Sequence, residues 1–364
     1  MKKKRMTVVR IVLAILFFTV QVFSLSSCGR EESNLKNASG SAVGDNEPAQ
    51  RSIFAMDTYM TITAYGEKKE EAVDAAVGEI QRLEKLFSAQ NEDSEVAIVN
   101  ESGSEILSEE TGTLIEKSLS LYDMTGGLFD IAIYPLMLEW GFVNEKYKVP
   151  EKVQIDKLLK NIDASQIEYD KENRLITLPD EMEIDLGGIA KGYTSARIME
   201  IFKEYGVTSG LVSLGGNVQL LGSRQDGSEW RVGIQNPDTE SQDFLGVLQV
   251  SDKAVITSGG YERYFEKDGV TYHHILDPRT GYPADRGLTS VTIVSDDGTL
   301  ADGLSTSLFI MGKEDALAFW HRHEDEFDAI LLDKDGGVTI TEGLEEKFTS
   351  DIFSVTVEKR EQKD

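Results

Sequence analysis

The run Asp185-Leu186-Gly187-Gly188-Ile189-Ala190-Lys191-Gly192 stands between a segment of strand character, Met182 to Leu186, and a helical pattern that begins at Ile189. Two glycines at such a junction let the backbone approach a ligand closely, and the first turn of a helix offers unpaired N–H groups to an anion. Lys191 falls in that first turn, where a cation opposes the helix dipole; a bound phosphate would reconcile the two. The same glycines also suit a tight turn with no ligand. A second run spans Ala301 to Met311 and is closed by Gly312. Asp302 opens it, and Asp302 and Thr306, four residues apart, share one helix face with Ser305 beside them. A carboxylate and a hydroxyl are hard oxygen ligands, which Mg²⁺ accepts while phosphates and water fill its other positions. The structural alternative makes Asp302 an N-cap and leaves the hydroxyls bonded back to the helix or facing solvent. In the third run His273 and His274 precede Asp277-Pro278-Arg279-Thr280-Gly281, a turn sequence. His274 is a candidate proton-transfer group near neutral pH, or else a structural histidine. His321 and His323, in a charged helical context, read as surface residues.

The elements that must position these groups follow from apolar periodicity. Arg51 to Tyr65 reads as strand. Lys69 to Phe87 and Thr111 to Tyr122 read as amphipathic helices, the second ended by Gly126-Gly127, and Asp156 to Leu159 reads as a short helix. Arg174 to Leu178 and Met182 to Leu186 read as strands, and Ile189 to Tyr205 as a helix stopped by Gly206. Past Gly206 short strands dominate, around Leu211–Leu214, Trp230–Ile234, Leu245–Val250, Ala254–Thr257, Val291–Val294, Ile330–Leu332 and Val338–Ile340. Helices return at Ala301–Met311 and Glu314–Trp320. Gly215-Gly216-Asn217 and Ser258-Gly259-Gly260-Tyr261 are further glycine turns. This mixture predicts an α+β fold, with mixed sheets and flanking helices, rather than regular βαβ alternation.

The chain has 364 residues, 40% of them apolar, enough to bury a large core. Lys2, Lys3, Lys4, Arg5 and Arg10 precede an apolar stretch, Ile11 to Val20, which is short for a membrane span. It leads to Leu25-Ser26-Ser27-Cys28-Gly29, a run resembling the lipobox of bacterial lipoproteins, in which the Cys is acylated. The expected organisation is a signal peptide over 1–27, a lipid anchor at Cys28, a flexible tether over 28–50, a catalytic body over 51–358 and a charged tail over 359–364. The product is expected on the extracytoplasmic face of a cell membrane. Cys28 is the only cysteine, so an internal disulfide is impossible. Without the five basic residues of 1–27 the chain carries 32 basic against 64 acidic residues, a net charge of −32. Such a field excludes nucleic-acid binding by general electrostatics and repels anionic lipid, so a lipid anchor would have to hold the protein at the membrane. An anionic ligand would need a local cation.

Taken in order, these runs resemble the bacterial flavin transferase family, the FAD:protein FMN transferases once labelled thiamine-biosynthesis lipoproteins. The motifs extend from about Phe54 to Val357. They are Met56-Asp57-Thr58, Phe87-Ser88 with Ser94-Glu95, Gly127-Leu128-Phe129-Asp130, Pro135-Leu136 with Trp140-Gly141-Phe142, Asp185 to Gly192, Gly215-Gly216-Asn217, Ser258-Gly259 with Tyr261, His274 to Pro283, and Ala301-Asp302 to Gly312. The resemblance implies a fold with FAD in a cleft and Mg²⁺-dependent transfer of FMN from FAD to a Thr or Ser hydroxyl of a target protein, with release of AMP. It implies Asp302 and Thr306 as side-chain metal ligands and Gly188 as a backbone ligand. Met56, Leu128, Phe129, Asp130, Asp185, Lys191 and Leu276 fall where the family contacts FAD, and His274 where proton transfer has been considered. The expected partner is an extracytoplasmic flavoprotein of a membrane electron-transfer system. Two departures stand out: Asp57 replaces the usual Gly, and Gln90 replaces a common aromatic. Two other readings use the same residues: an FAD pyrophosphatase with water as acceptor, and a non-enzymatic flavin-binding lipoprotein.

Overall fold

Strand residues that alternate between two apolar environments define the central sheet. The computed structural model describes residues 47–238 and 243–361. The signal segment, Cys28 and most of the expected tether lie outside the described residues, as does the end of the tail. Among the described residues no helix is long and apolar enough to cross a membrane. In chain order the elements are β1 (Ala49–Ala55), β2 (Thr58–Tyr65), α1 (Lys69–Phe87), α2 (Glu95–Ser102), β3 (Ser104–Ile106), α3 (Glu109–Thr125), α4 (Tyr134–Trp140), α5 (Lys152–Leu158), β4 (Glu168–Asp170) and β5 (Leu175–Thr177). There follow α6 (Ala190–Glu204), β6 (Ser209–Leu214), β7 (Asn217–Leu221), β8 (Trp230–Gln235), β9 (Phe244–Val250), β10 (Ala254–Gly259), β11 (Tyr264–Lys267), β12 (Val270–His273) and β13 (Leu288–Ser295). The last are α7 (Gly298–Met311), α8 (Lys313–Arg322), β14 (Asp328–Asp333), β15 (Val338–Thr341), β16 (Phe348–Thr349) and β17 (Val355–Glu358).

Nine strands form one sheet in the order β1-β2-β6-β7-β10-β13-β14-β15-β17, antiparallel throughout except for the parallel β15–β17 pair. Its middle is buried on both faces. On β10, Ala254 and Ile256 join a core with α7, whereas Val255 joins Trp230, Val232 and Leu248 of the small sheet β16-β9-β8. On β14, Ala329 and Leu331 face the helices while Ile330 and Leu332 face the small sheet. The period of two sends successive side chains to opposite layers, so each strand supplies both cores. At the β1–β2 end, Met60, Ile62 and Ala64 pack under Val73 and Ile80 of α1 and Ile198 and Phe202 of α6. A fourth apolar cluster joins Leu136, Trp140 and Phe142 to Ile155, Phe265 and Leu276, and so ties the β11–β12 hairpin to the α4–α5 region.

The fold is the mixed α+β arrangement expected, with differences of detail. Arg51 to Tyr65 is two strands joined by Met56-Asp57, at φ 47° and 58°. Two consecutive left-handed residues make the tight turn that the twist of a hairpin favours; Asp tolerates that conformation, and Gly adopts it without strain. Met182 to Leu186 is extended but joins no ladder. Asn100 takes the place of a neighbouring strand, accepting from Ile184 N at 2.7 Å and donating to Ile184 O at 2.9 Å, and Asp185 N donates to Ile131 O. Helix α7 starts at Gly298 under an Asp297 cap, so Asp302 lies in its second turn and is no N-cap. His321 and His323 are half-buried: the first hydrogen-bonds Glu358 and the second stacks on Phe319 with ring centroids 4.4 Å apart.

Candidate active site

Strand β7 carries the polar residues that open the site. All five of its residues are buried. Val218 and Leu220 point to the small sheet, and the alternate positions put Asn217 and Gln219 among the helices. Gln219 Oε1 accepts from Ser195 Oγ of α6 at 2.7 Å. The amide of Asn217 lies close enough to lower the Asp302 carboxyl, although its nitrogen completes no hydrogen bond of normal geometry.

Helices α6 and α7 cross here at a glycine contact. A Cβ on Gly192 would sit 2.2 Å from the Gly298 carbonyl oxygen and 2.6 Å from the Asp302 Cβ. That approach lets Gly192 N–H donate to Asp302 Oδ2 at 2.8 Å. Gly192 N–H is one of the first donors of α6, which have no partner within the helix, and the α7 carboxylate satisfies it. Asp302 is buried, and desolvation raises its carboxyl above the ordinary range, against the opposing field of Lys191. Thr306 lies one turn further on, where its hydroxyl meets Ser258 Oγ of β10 at 3.2 Å. A buried anion with one backbone donor, together with a hydroxyl, suits a hard divalent cation. Among the described residues no group of three His, Cys, Asp or Glu side chains forms a metal cage. Such a cation would therefore depend on phosphate or water for its remaining ligands.

The start of α6 supplies the cation of the cluster. Lys191 Nζ makes only a 3.5 Å contact with Gly187 O, and its charge acts on Asp185, Glu262, His274 and Asp302. Asp185 accepts from Gly187 N at 3.0 Å; desolvation raises its carboxyl, with Arg263 and Lys191 opposing. Met56 N donates to Glu84 at 2.6 Å, and the Met56 sulfur lies 3.9 Å from the Thr194 hydroxyl. His274, after β12, holds Nδ1 3.1 Å from Arg263 O. A carbonyl only accepts, so Nδ1 carries the proton and Nε2 is left with the lone pair. Desolvation, then the Arg263 guanidinium, hold this imidazole well below its ordinary value, so it is neutral and a weak base. His273 instead approaches Ala284 O at 3.0 Å, edge-on to Phe309.

The site thus brings together Gly188, Lys191, Asp302 and Thr306, with Asp185 and His274 within reach of the Lys191 charge. Leu128, Phe129, Asp130 and Leu276 have buried side chains. Phe129 backs the site directly: a Cβ on Gly188 would lie 3.1 Å from its ring. The Asp130 carboxylate caps a short 3₁₀ turn through Ala132 N at 2.8 Å and also accepts from Ala164 N at 3.3 Å. Burial raises it to about 6, its backbone donors opposing and Asp163 adding. The folded chain therefore holds this proton more tightly than the unfolded chain, with its ordinary value of 3.8. The stability so gained is present below pH 4 and lost as the pH rises through 6. Between pH 4 and 7 the wild type is expected to lose about 2–3 kcal/mol from this group, and Asp130→Asn to lack that slope, as read by urea unfolding at several pH values. Two site residues carry no signal in the sequence: Glu262 follows a glycine turn whose distinctive feature is its backbone, and Arg263 belongs to no motif.

A family model described as the ApbE family matches residues 56–331. The chain is 32% identical over 312 residues to an FAD:protein FMN transferase of Klebsiella pneumoniae, covering 84% of this chain and 96% of that protein. It is 31% identical over 316 residues to an FAD:protein FMN transferase of Treponema pallidum, covering 81% and 87%. Among solved structures it resembles the ApbE protein of Thermotoga maritima, with TM-score 0.79 at 32% identity, covering 84% of this chain and all of that one. The apo form of the flavinyl transferase ApbE from Pseudomonas stutzeri gives TM-score 0.74 at 26% identity, covering 86% and 100%.

Proposed function

This chain belongs to the ApbE family and is a transferase of flavin, and from that premise we propose that it moves FMN from FAD to a Thr or Ser hydroxyl of a target protein, using Mg²⁺ and releasing AMP. The observation that carries the metal-dependent reading is the buried Asp302 carboxylate, bonded by the Gly192 amide, with Lys191 acting on it and the Thr306 hydroxyl one turn further along α7. Asp302, Thr306 and Gly188 would hold Mg²⁺, which supplies neutralisation of the pyrophosphate charge when bound. Lys191 and the first amides of α6 bind the phosphates. Asp185, an anion that would repel phosphate, is assigned to polar FAD groups away from it. Met56, Leu128, Phe129, Asp130 and Leu276 shape the FAD cleft, the buried ones as its supporting wall. Neutral His274 keeps Nε2 as a hydrogen-bond acceptor for polar groups entering the site.

The surplus of acidic charge supports the same reading. Asp57 acts on Asp185 and Asp302 on Glu262, while Lys191 opposes at Asp185, Glu262 and Asp302 and Arg263 at the first two. A dianionic pyrophosphate enters such a site only with a cation. The acceptor is proposed to be an extracytoplasmic flavoprotein of a membrane electron-transfer system, reached from a lipid anchor at Cys28.

The test incubates the chain with FAD, Mg²⁺ and a threonine-bearing flavoprotein domain, then looks for a fluorescent band in a denaturing gel and for AMP. Lys191→Ala is expected to weaken FAD affinity about 10- to 100-fold, the range for losing a charge-assisted contact, with little change in thermal stability. Free FMN with no labelled protein would convert the reading to an FAD pyrophosphatase. Metal-independent FAD binding without AMP would make the protein a flavin carrier. Lowered stability at unchanged FAD affinity would return Lys191 to a structural role.

A further inference from the structure

We propose that Glu262 accepts the proton of the incoming hydroxyl in the transfer step, an inference that rests on the transferase reading. Glu262 lies in the turn between β10 and β11, and its backbone N–H donates to Gly259 O, which anchors the turn. Its carboxylate is half-buried and, among the described residues, has neither hydrogen bond nor ion pair. An oxygen of Glu262 lies 3.6 Å from where a Cβ on Gly216 would stand. The next residue, Asn217, flanks Asp302. One turn therefore sets Glu262 beside the proposed metal ligand.

The charged groups around it are Lys191 of α6, Asp302 of α7 and Arg263 of its own turn, with the Tyr261 phenol next to it. Burial lifts the carboxyl to about 8; Lys191 and Arg263 oppose, and Asp302 adds to the rise. A half-buried carboxylate with no partner has both oxygens open to take a proton, as a general base must. His274 is poorer in that role, since its surroundings disfavour the imidazolium. Glu262 also lines, with Gly216, Val218, Val232, Thr257 and Tyr261, a cavity of about 20 Å³, room for about one water.

In the step, the acceptor O–H bond breaks and its proton passes to a Glu262 oxygen. The acceptor oxygen bonds to the FMN-side phosphorus, and the bond from that phosphorus to the bridging oxygen breaks. AMP leaves with the bridging oxygen and its electron pair, and Glu262 then returns the proton to solvent. Charge and atoms balance without a further reactant.

The experiment compares wild type, Glu262→Gln and Glu262→Asp in the full chain with FAD and Mg²⁺. AMP release is followed with water, and with a threonine-bearing flavoprotein domain, as acceptor. Glu262→Gln is expected to lower kcat by about 10²-fold or more. It should leave FAD affinity within about twofold, by flavin fluorescence, and Glu262→Asp should restore part of the rate. Wild-type kcat in Glu262→Gln would overturn the proposal while the transferase reading stands. A loss confined to FAD affinity would likewise overturn it and make Glu262 a binding residue. If the wild type releases no AMP with either acceptor, the transferase reading falls and this proposal with it.

Discussion

Asp302→Ala is expected to reduce AMP release and flavin transfer by about 10³-fold or more while the protein stays folded. The two effects separate because of the way Asp302 is buried. Its carboxylate is 5% exposed, carries one backbone hydrogen bond at 2.8 Å, and is lifted above its ordinary range by desolvation. A buried charge so lightly compensated contributes little to the fold in the absence of a cation. Alanine removes that burden together with one hydrogen bond, worth about 1 kcal/mol, so stability should change little or rise. Asp302→Asn sharpens the test: its amide oxygen still accepts from Gly192, but the negative charge is gone. Both variants should lose the increase in Tm that Mg²⁺ and FAD give the wild type, since ligand binding to the folded state raises apparent stability. A variant with wild-type AMP release, or one that loses turnover only by unfolding, would remove Asp302 from the metal site.

Gly192→Ala is expected to disable the site through the backbone. The added methyl meets a carbonyl oxygen at 2.2 Å and the Asp302 Cβ at 2.6 Å, and neither is the far end of a flexible side chain. Helices α6 and α7 must part, at about 1–3 kcal/mol or more for overpacking. The Gly192–Asp302 hydrogen bond stretches with them, and Gly188, Lys191 and Asp302 lose their common register. Activity should fall with stability, in contrast to Asp302→Ala. Gly78 provides the internal control. It sits on the exposed face of α1 with nothing within 4 Å of an added Cβ, so alanine there should stabilise by about 0.5–1 kcal/mol through helix propensity. Equal behaviour of the two variants in urea unfolding would show that the helix crossing is looser than these contacts imply.

What the sequence by itself determined was carried by short-range signals. The glycine junction at 187–188, the helix that follows it and the i, i+4 pairing of Asp302 with Thr306 all survive in the structure, because spacing along a helix sets which side chains share a face. The turn at Asp277 to Gly281 was legible for the same reason: the hydrogen bonds of Asp277 are local, its carboxylate accepting from Arg279 N and its carbonyl from Gly281 N. Strands of the central sheet showed as apolar runs because both of their faces are buried. Where one run held two strands, as at Arg51 to Tyr65, no glycine or proline marked the break, which Met56 and Asp57 make by their positive φ.

Tertiary structure alone decided the rest. Met182 to Leu186 has the pattern of a strand, yet Asn100, remote in sequence, takes its hydrogen bonds and leaves it outside every sheet. The α6–α7 crossing brings Gly192 to Asp302 across 110 residues, and no local pattern marks that contact. Glu262 looked like an ordinary charged residue after a glycine turn. The fold placed it between Gly216, Lys191 and Asp302, where desolvation changes what a carboxylate can do. Residue type and spacing specify which chemistry is available; proximity and dielectric surroundings, which arise only when distant segments pack, select the groups that perform it.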